Sequence, residues 1–221
     1  MRKTILVSVV FYSLSAAVYF LAAGRWDLPF GWAYFALNAI IGIGTVAIAD
    51  AKTPGFAEER LRPAPGEKDR LFKPLGTLSS VSLLLIAGLD AGRFHWPPSL
   101  DWRIQLAVFL LDMVGLLLVC WSMLANSFFS SAVRLQPERG QIVVKSGPYA
   151  IVRHPGYTGG LLYLALNGLA LGSWWAGLAA VPMLALTIRR TVMEDAMLRS
   201  GLAGYSEYAK EVRYRLFPGI W

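Results

Sequence analysis

Five long stretches almost free of charge constrain this sequence more than any other feature. They are Thr4 to Gly24, Leu28 to Ala49, Pro74 to Leu89, Ile104 to Val133 with Asp112 as its one charge, and Pro155 to Ile188. A helix that crosses a bilayer uses roughly 20 apolar residues, so each of the first four stretches suits one crossing. As a straight helix the fifth would reach roughly 51 Å, against a hydrocarbon core of roughly 30 Å. A tight turn near Gly172-Ser173 divides it into a hairpin of two short helices. The expected fold is an all-α integral membrane protein of about six transmembrane helices, with a short C-terminal helical hairpin and a cytoplasmic helical tail, in one membrane-embedded domain.

Composition agrees with burial in lipid. With 56% hydrophobic and 16% charged residues, the chain has too few charges to coat a soluble globule. Arg2-Lys3 and the apolar run to Gly24 resemble a secretory leader, but the run exceeds the roughly 7 to 15 apolar residues of such a leader and reads as a retained first span. All but three of the 21 Lys and Arg residues fall on one side of a six-span arrangement; the other side holds only Arg25, Arg93 and Arg103. Because Lys and Arg favour cytoplasmic loops, both termini are expected there. Trp26, Trp32, Trp96, Trp102, Trp174 and Trp175 all fall at the predicted outer ends, where the headgroup level suits indole rings. Asp50 to Lys73, with Pro54, Pro63 and Pro65, reads as an irregular cytoplasmic connector with one surface turn of helix.

Several chemistries are excluded. Cys120 is the one cysteine and His95 and His154 the two histidines, so neither a disulfide nor an ordinary zinc site can be assembled, and no metal is expected. The net charge of +7 comes from residues beside apolar runs, with no aromatic-interleaved patch, so no nucleic-acid partner is expected. A soluble Rossmann-type methyltransferase is ruled out because no GxGxxG loop occurs.

Polar chemistry concentrates around the hairpin. In Gly147-Pro148-Tyr149-Ala150-Ile151-Val152-Arg153-His154-Pro155-Gly156-Tyr157-Thr158-Gly159-Gly160, Pro155 suits a first helical turn and His154 its cap. Free N–H groups at such a start can hold an anion. Gly156, Gly159 and Gly160 leave room there for a ligand or for a neighbouring helix. After the hairpin, Arg190 and Glu194 share a helical face, as a surface ion pair or as two ligand contacts. Tyr205, Tyr208 and the run Val212 to Trp221 suit a helix at the membrane interface or the wall of a site. Asp112 is a mid-span charge, either functional or a hydrogen-bonded helix contact.

As a set, RHPxYxG, RxxxE, YxxY and the terminal arginine-proline segment, over about Gly140 to Trp221, resemble the isoprenylcysteine carboxyl methyltransferase family. That family is similar in this half to phospholipid N-methyltransferases and small-thiol methyltransferases. The resemblance implies an S-adenosylmethionine-dependent methyltransferase whose cofactor pocket is lined by Gln141, Ile142, Val143, Val144, Tyr149, His154, Pro155, Gly156 and Tyr157, with Glu194 as a further contact. It implies catalytic roles for Arg190, Glu194 and His154, with Arg190 on the acceptor side, and an acceptor that is lipid-like or prenylated. Gln141 stands where many members carry histidine. Residues 134–221 form the expected catalytic region, and residues 1–133 the substrate-side helices.

The donor is a zwitterion with a sulfonium centre, and it needs an acceptor for its ammonium, donors for its carboxylate and an aromatic wall. Glu194, Arg153 or Arg215, and tyrosines such as Tyr205 and Tyr208 can supply these. A carboxylate nucleophile needs little proton chemistry, whereas an amine or thiol would need His154 or Glu194 as base. Two rivals are a sterol-type reductase, which ends in a similar pattern, and a non-enzymatic scaffold or transporter using Asp112 and the glycines.

Overall fold

A computed structural model of the chain describes residues 2–61 and 72–221; the expected connector residues Pro63 and Pro65 lie outside the described residues. Nine α-helices and no strand occur among the described residues. In chain order they are α1 (Arg2–Ala23), α2 (Pro29–Lys52), α3 (Phe56–Leu61), α4 (Phe72–Leu89), α5 (Trp102–Ala125), α6 (Pro155–Ala170), α7 (Trp174–Leu178), α8 (Val181–Gly201) and α9 (Tyr205–Glu211). Helix α3 occupies the place of the surface turn expected in the connector.

Five segments are long and apolar enough to cross a membrane: Thr4–Ala23, Pro29–Lys52, Phe72–Phe94, Trp102–Ala125 and Trp174–Gly201. Helix α6, at 16 residues, reaches only about 24 Å at 1.5 Å per residue and is the short arm of the hairpin. The long arm runs on into the helix expected to carry Arg190 and Glu194. Helix α8 continues past Ile188 to Gly201, because Arg190, Asp195 and Arg199 find partners that let the charged part of the helix stay ordered.

Local chemistry sets the hairpin. Pro155 opens α6, where its missing N–H costs nothing, and the His154 carbonyl accepts from the Tyr157 and Thr158 amides at 3.0 and 3.1 Å. Gly172, at φ +92°, breaks the chain after α6. Ser173 then caps α7 by accepting from the Ala176 amide at 3.1 Å, and its hydroxyl donates to Asp90 at 2.6 Å.

The turns after α1, α4 and α6 gather at one end of the bundle. There Arg93 donates to the Leu21 carbonyl at 3.2 Å and Trp175 to the Pro97 carbonyl at 3.2 Å. Tyr19, Phe20, Phe35, Leu83, Phe109 and Leu171 pack the core toward this end. The opposite end holds α3, residues 126–154, the charged half of α8, and α9. Large apolar side chains such as Leu6, Phe11, Leu14, Leu78, Leu110 and Leu117 point outward, a surface suited to lipid.

Two contacts fix α6 within the bundle. Gly115 of α5 and Gly159 of α6 face each other: a Cβ on Gly159 would stand 2.6 Å from the Gly115 oxygen and 2.8 Å from the Val119 nitrogen. Small residues thus let the two backbones touch. Farther along, Tyr163 donates to Asn38 Oδ1 at 2.6 Å, and its hydroxyl lies 2.7 Å from that of Tyr34. With its amide nitrogen turned toward the acceptors, Asn167 donates to Tyr34 at 2.9 Å and to Asp112 Oδ1 at 3.0 Å. Asp112, fully buried, is thereby part of a hydrogen-bonded network that joins α2, α5 and α6.

Overpacking a site bounded by backbone leaves little room to relax. Gly159→Leu should therefore cost about 3 kcal/mol, the upper part of the usual range for overpacking, and lower the thermal midpoint in detergent. Gly160→Ala should leave that midpoint unchanged, because a Cβ there meets nothing within 4 Å. Equal losses in the two variants would contradict this packing.

Candidate active site

Residues 126–154 cross the site end without a regular ladder, so their polar groups are satisfied one at a time. Asn126 ends α5 and accepts from the Phe128 amide at 2.9 Å. Gln136, 1% exposed, holds the segment together. Its amide donates to Gln141 Oε1 at 2.7 Å, its side chain donates to the Phe128 carbonyl at 2.7 Å, and its Oε1 accepts from Arg139 at 2.5 Å. The Gln141 side chain is thus engaged within the loop. Gly140 and Gly147, at φ +63° and +61°, bound an extended run between them. In that run the amides of Ile142, Val143 and Val144 donate to no backbone carbonyl of another described residue. Tyr149 is anchored by Asn126, which donates to its hydroxyl at 3.2 Å, and burial raises its phenol above the ordinary range.

Four residues expected at the cofactor converge on a fifth that the motifs did not single out. Asp195, 1% exposed, accepts from Arg153 Nε at 2.8 Å, Tyr205 at 3.0 Å, Arg199 at 3.0 Å and Arg215 at 3.1 Å. His154 Nε2 lies 3.3 Å from the same carboxylate. Burial, with the Asp195 charge beside it, pushes the Tyr205 phenol well above its usual range and keeps it a donor. The tail closes over this cluster. Arg153 donates to the carbonyls of Val212 and Arg213 at 2.8 and 2.6 Å, and the His154 amide donates to the Arg215 carbonyl at 2.9 Å. Tyr208 donates to the Tyr149 carbonyl at 2.7 Å, which seats α9.

These elements enclose a cavity of about 450 Å³, within the size range of small-molecule sites. Its wall includes Ile142, Val143, Val144, Tyr149, Tyr205 and Tyr208, and also the apolar Leu116, Val119, Gly160 and Leu164 with Tyr163. Gln141, Arg153, His154, Gly156, Tyr157, Arg190 and Glu194 also face it, whereas the expected Pro155 and Arg215 stand behind its wall. Of the three glycines after the cap, Gly159 serves packing, Gly156 receives the Phe129 ring, and Gly160 leaves the cavity open.

In the cavity wall the two residues of the RxxxE motif are joined through a third. Tyr157 donates to Glu194 Oε2 at 2.6 Å and accepts from Arg190 Nε at 3.0 Å. Arg190, 2% exposed, also donates to the Ser131 carbonyl at 2.7 Å and lies 4.2 Å above the Phe72 ring. It is a desolvated cation, and the surface ion-pair alternative does not apply to it. Asp195 and Phe72 were missed by the sequence reading. For Asp195 the only local signal was its i,i+4 spacing to Arg199.

The architecture is that of a multi-pass α-helical membrane protein with a mixed polar and apolar cavity at one end of its bundle. Residues 102–203 match the family model described as phospholipid methyltransferase, which supports a membrane methyltransferase. The match runs from the start of α5 to the end of α8, so it includes the helices that build most of the cavity wall as well as α5, expected among the substrate-side helices. No curated protein matches the chain.

The Asp195 cluster has a measurable consequence. Asp195→Asn leaves buried guanidinium charge uncompensated and should destabilise the protein by about 3 to 5 kcal/mol. Arg199→Ala, whose side chain is 42% exposed, should cost no more than about 1 kcal/mol. Thermal unfolding of the two variants in detergent checks the order; a smaller loss for Asp195→Asn would refute it.

Proposed function

We propose that this protein is an integral membrane S-adenosylmethionine-dependent methyltransferase acting on a lipid-like or prenylated carboxylate, as isoprenylcysteine carboxyl methyltransferases do. The observation that carries the reading is the Tyr157 hydroxyl held between Glu194 and Arg190 in the wall of a cavity that combines polar and apolar side chains.

The residues present fit the donor. Glu194 offers a carboxylate for its ammonium, the amides of Ile142 to Val144 offer donors for its carboxylate, and Tyr149, Tyr205 and Tyr208 offer a wall for its sulfonium. When bound, S-adenosylmethionine supplies an electrophilic methyl group. Arg190, fixed by Tyr157, Ser131 and Phe72, orients an acceptor carboxylate from the other side. Leu116, Val119 and Leu164 exclude water and suit an acyl or prenyl chain. Positioning and desolvation then carry most of the rate, since a carboxylate needs no base. His154 already faces Asp195 and Tyr205, which leaves Glu194 as the nearest base for an amine or thiol acceptor. Both termini, with the site end, face the cytoplasm in this reading, following the placement of basic residues.

Calorimetric titration with S-adenosylhomocysteine and with NADPH tests the cofactor: the former should bind and the latter should not. Binding of NADPH alone would establish the reductase reading, and binding of neither the scaffold. Glu194→Gln should weaken S-adenosylhomocysteine by roughly tenfold or more, the loss expected for a charge-assisted hydrogen bond. Arg190→Lys should bind it normally yet remain impaired in methyl transfer, because an ammonium cannot reproduce a bidentate grip. Full activity in Arg190→Lys, or preferred methylation of an amine headgroup, would displace the carboxylate reading.

A further inference from the structure

The guanidinium groups at the cavity are not equally satisfied. Arg153 is paired with Asp195, and Arg134 with Glu59 and Glu138. Arg60, on α3, also lines the cavity, but no carboxylate of a described residue lies against it. Its Nη1 donates to the Met123 sulfur at 2.9 Å, and its guanidinium lies 5.3 Å from the centre of the Phe129 ring. A thioether is a weak acceptor, and one contact leaves most of the five guanidinium donors unused. Arg60 is half-buried, and burial lowers the pKa of its guanidinium, so an anion placed against it would favour the charged form.

The position of Arg60 is fixed. Phe56 and Ala57 are buried, Phe56 packs with Ala49 of α2 and Met123 of α5, and the Ala57 amide donates to Asp50 at 3.0 Å. Ser131 ties Arg60 to the acceptor-side arginine: its hydroxyl donates to the Arg60 carbonyl at 2.6 Å, while its own carbonyl accepts from Arg190 at 2.7 Å. The Phe129 ring beneath Arg60 rests on Gly156, and the next residue, Tyr157, holds Arg190. The two guanidinium groups therefore lie against adjacent positions at the start of α6.

We infer that Arg60 is a second anion-binding residue of the acceptor site, so that the acceptor headgroup is gripped by arginines from α3 and α8 and selected for its negative charge. The inference rests on the proposed carboxylate acceptor. It adds a residue outside the matched stretch and a reason for product release. The methyl ester formed from a carboxylate carries no charge and loses the attraction of both arginines.

The test uses the full chain in zwitterionic nanodiscs, with an S-prenylated N-acetylcysteine as acceptor and its carboxamide as the uncharged control. Arg60→Gln should raise KM for the acceptor by about tenfold, the loss of one charge-assisted contact. It should also reduce the preference for carboxylate over carboxamide in binding, with Arg190 keeping the remainder, and leave S-adenosylhomocysteine affinity unchanged. Arg60→Lys should fall between the two. In unmodified protein, the carboxylate and not the carboxamide should shield Arg60 from phenylglyoxal, read by mass spectrometry, which keeps the test independent of how the variants fold. An unchanged KM and charge preference in Arg60→Gln, or equal labelling with both compounds, overturns the role of Arg60 alone. If the unmodified protein neither binds nor methylates the carboxylate, the acceptor reading falls and this role with it.

Discussion

A buried carboxylate at Asp195 is the interaction on which the site end depends. Three guanidinium groups, one imidazole and one phenol meet it, drawn from the loop before α6, from α8, from α9 and from the tail. A charge this deep is tolerated only when it is paired and hydrogen-bonded on every side, so none of these elements can move without exposing an uncompensated ion. The start of α6 is thereby locked to the tail, and the wall formed by Tyr149, Tyr205 and Tyr208 is locked with it.

The bilayer supplies the second constraint. Among helices with apolar exteriors, association relies on close packing and interhelical hydrogen bonds more than on the hydrophobic effect. The Gly115 to Gly159 contact and the Tyr34, Asn38, Tyr163, Asn167 and Asp112 network serve those ends on α6. Because α6 is held against α5 on one side, its other side, at Gly160 and Leu164, is free to border the cavity.

In the proposed reading, the division between donor and acceptor sides follows from one hydroxyl. Tyr157 separates a carboxylate from a guanidinium that would otherwise neutralise each other on a shared helical face. The phenol fixes the position of both groups. The apolar wall residues Leu116, Val119 and Leu164 suit a chain that would enter from lipid.

Much of this was determined by local sequence. Charge-poor stretches dictated membrane helices because a backbone in lipid must bond to itself. Pro155 dictated where α6 begins, and Gly172-Ser173 where the hairpin turns, because φ and capping preferences act over a few residues. The family resemblance, and not spacing alone, implied one pocket for Gln141 to Val144, Tyr149, His154, Gly156, Tyr157 and Glu194, with Arg190 on its acceptor side, and these residues face the cavity. The tertiary structure alone decided the partners of Asp195, which except for Arg199 lie 10 to 42 positions away. It alone set Tyr157 between two residues whose spacing allowed either a surface ion pair or two ligand contacts. It also brought Arg60 to the cavity, from a connector that reads as solvated surface. Periodicity and caps are encoded within a helical turn, whereas burial of a charge is decided by whatever distant segments fold over it.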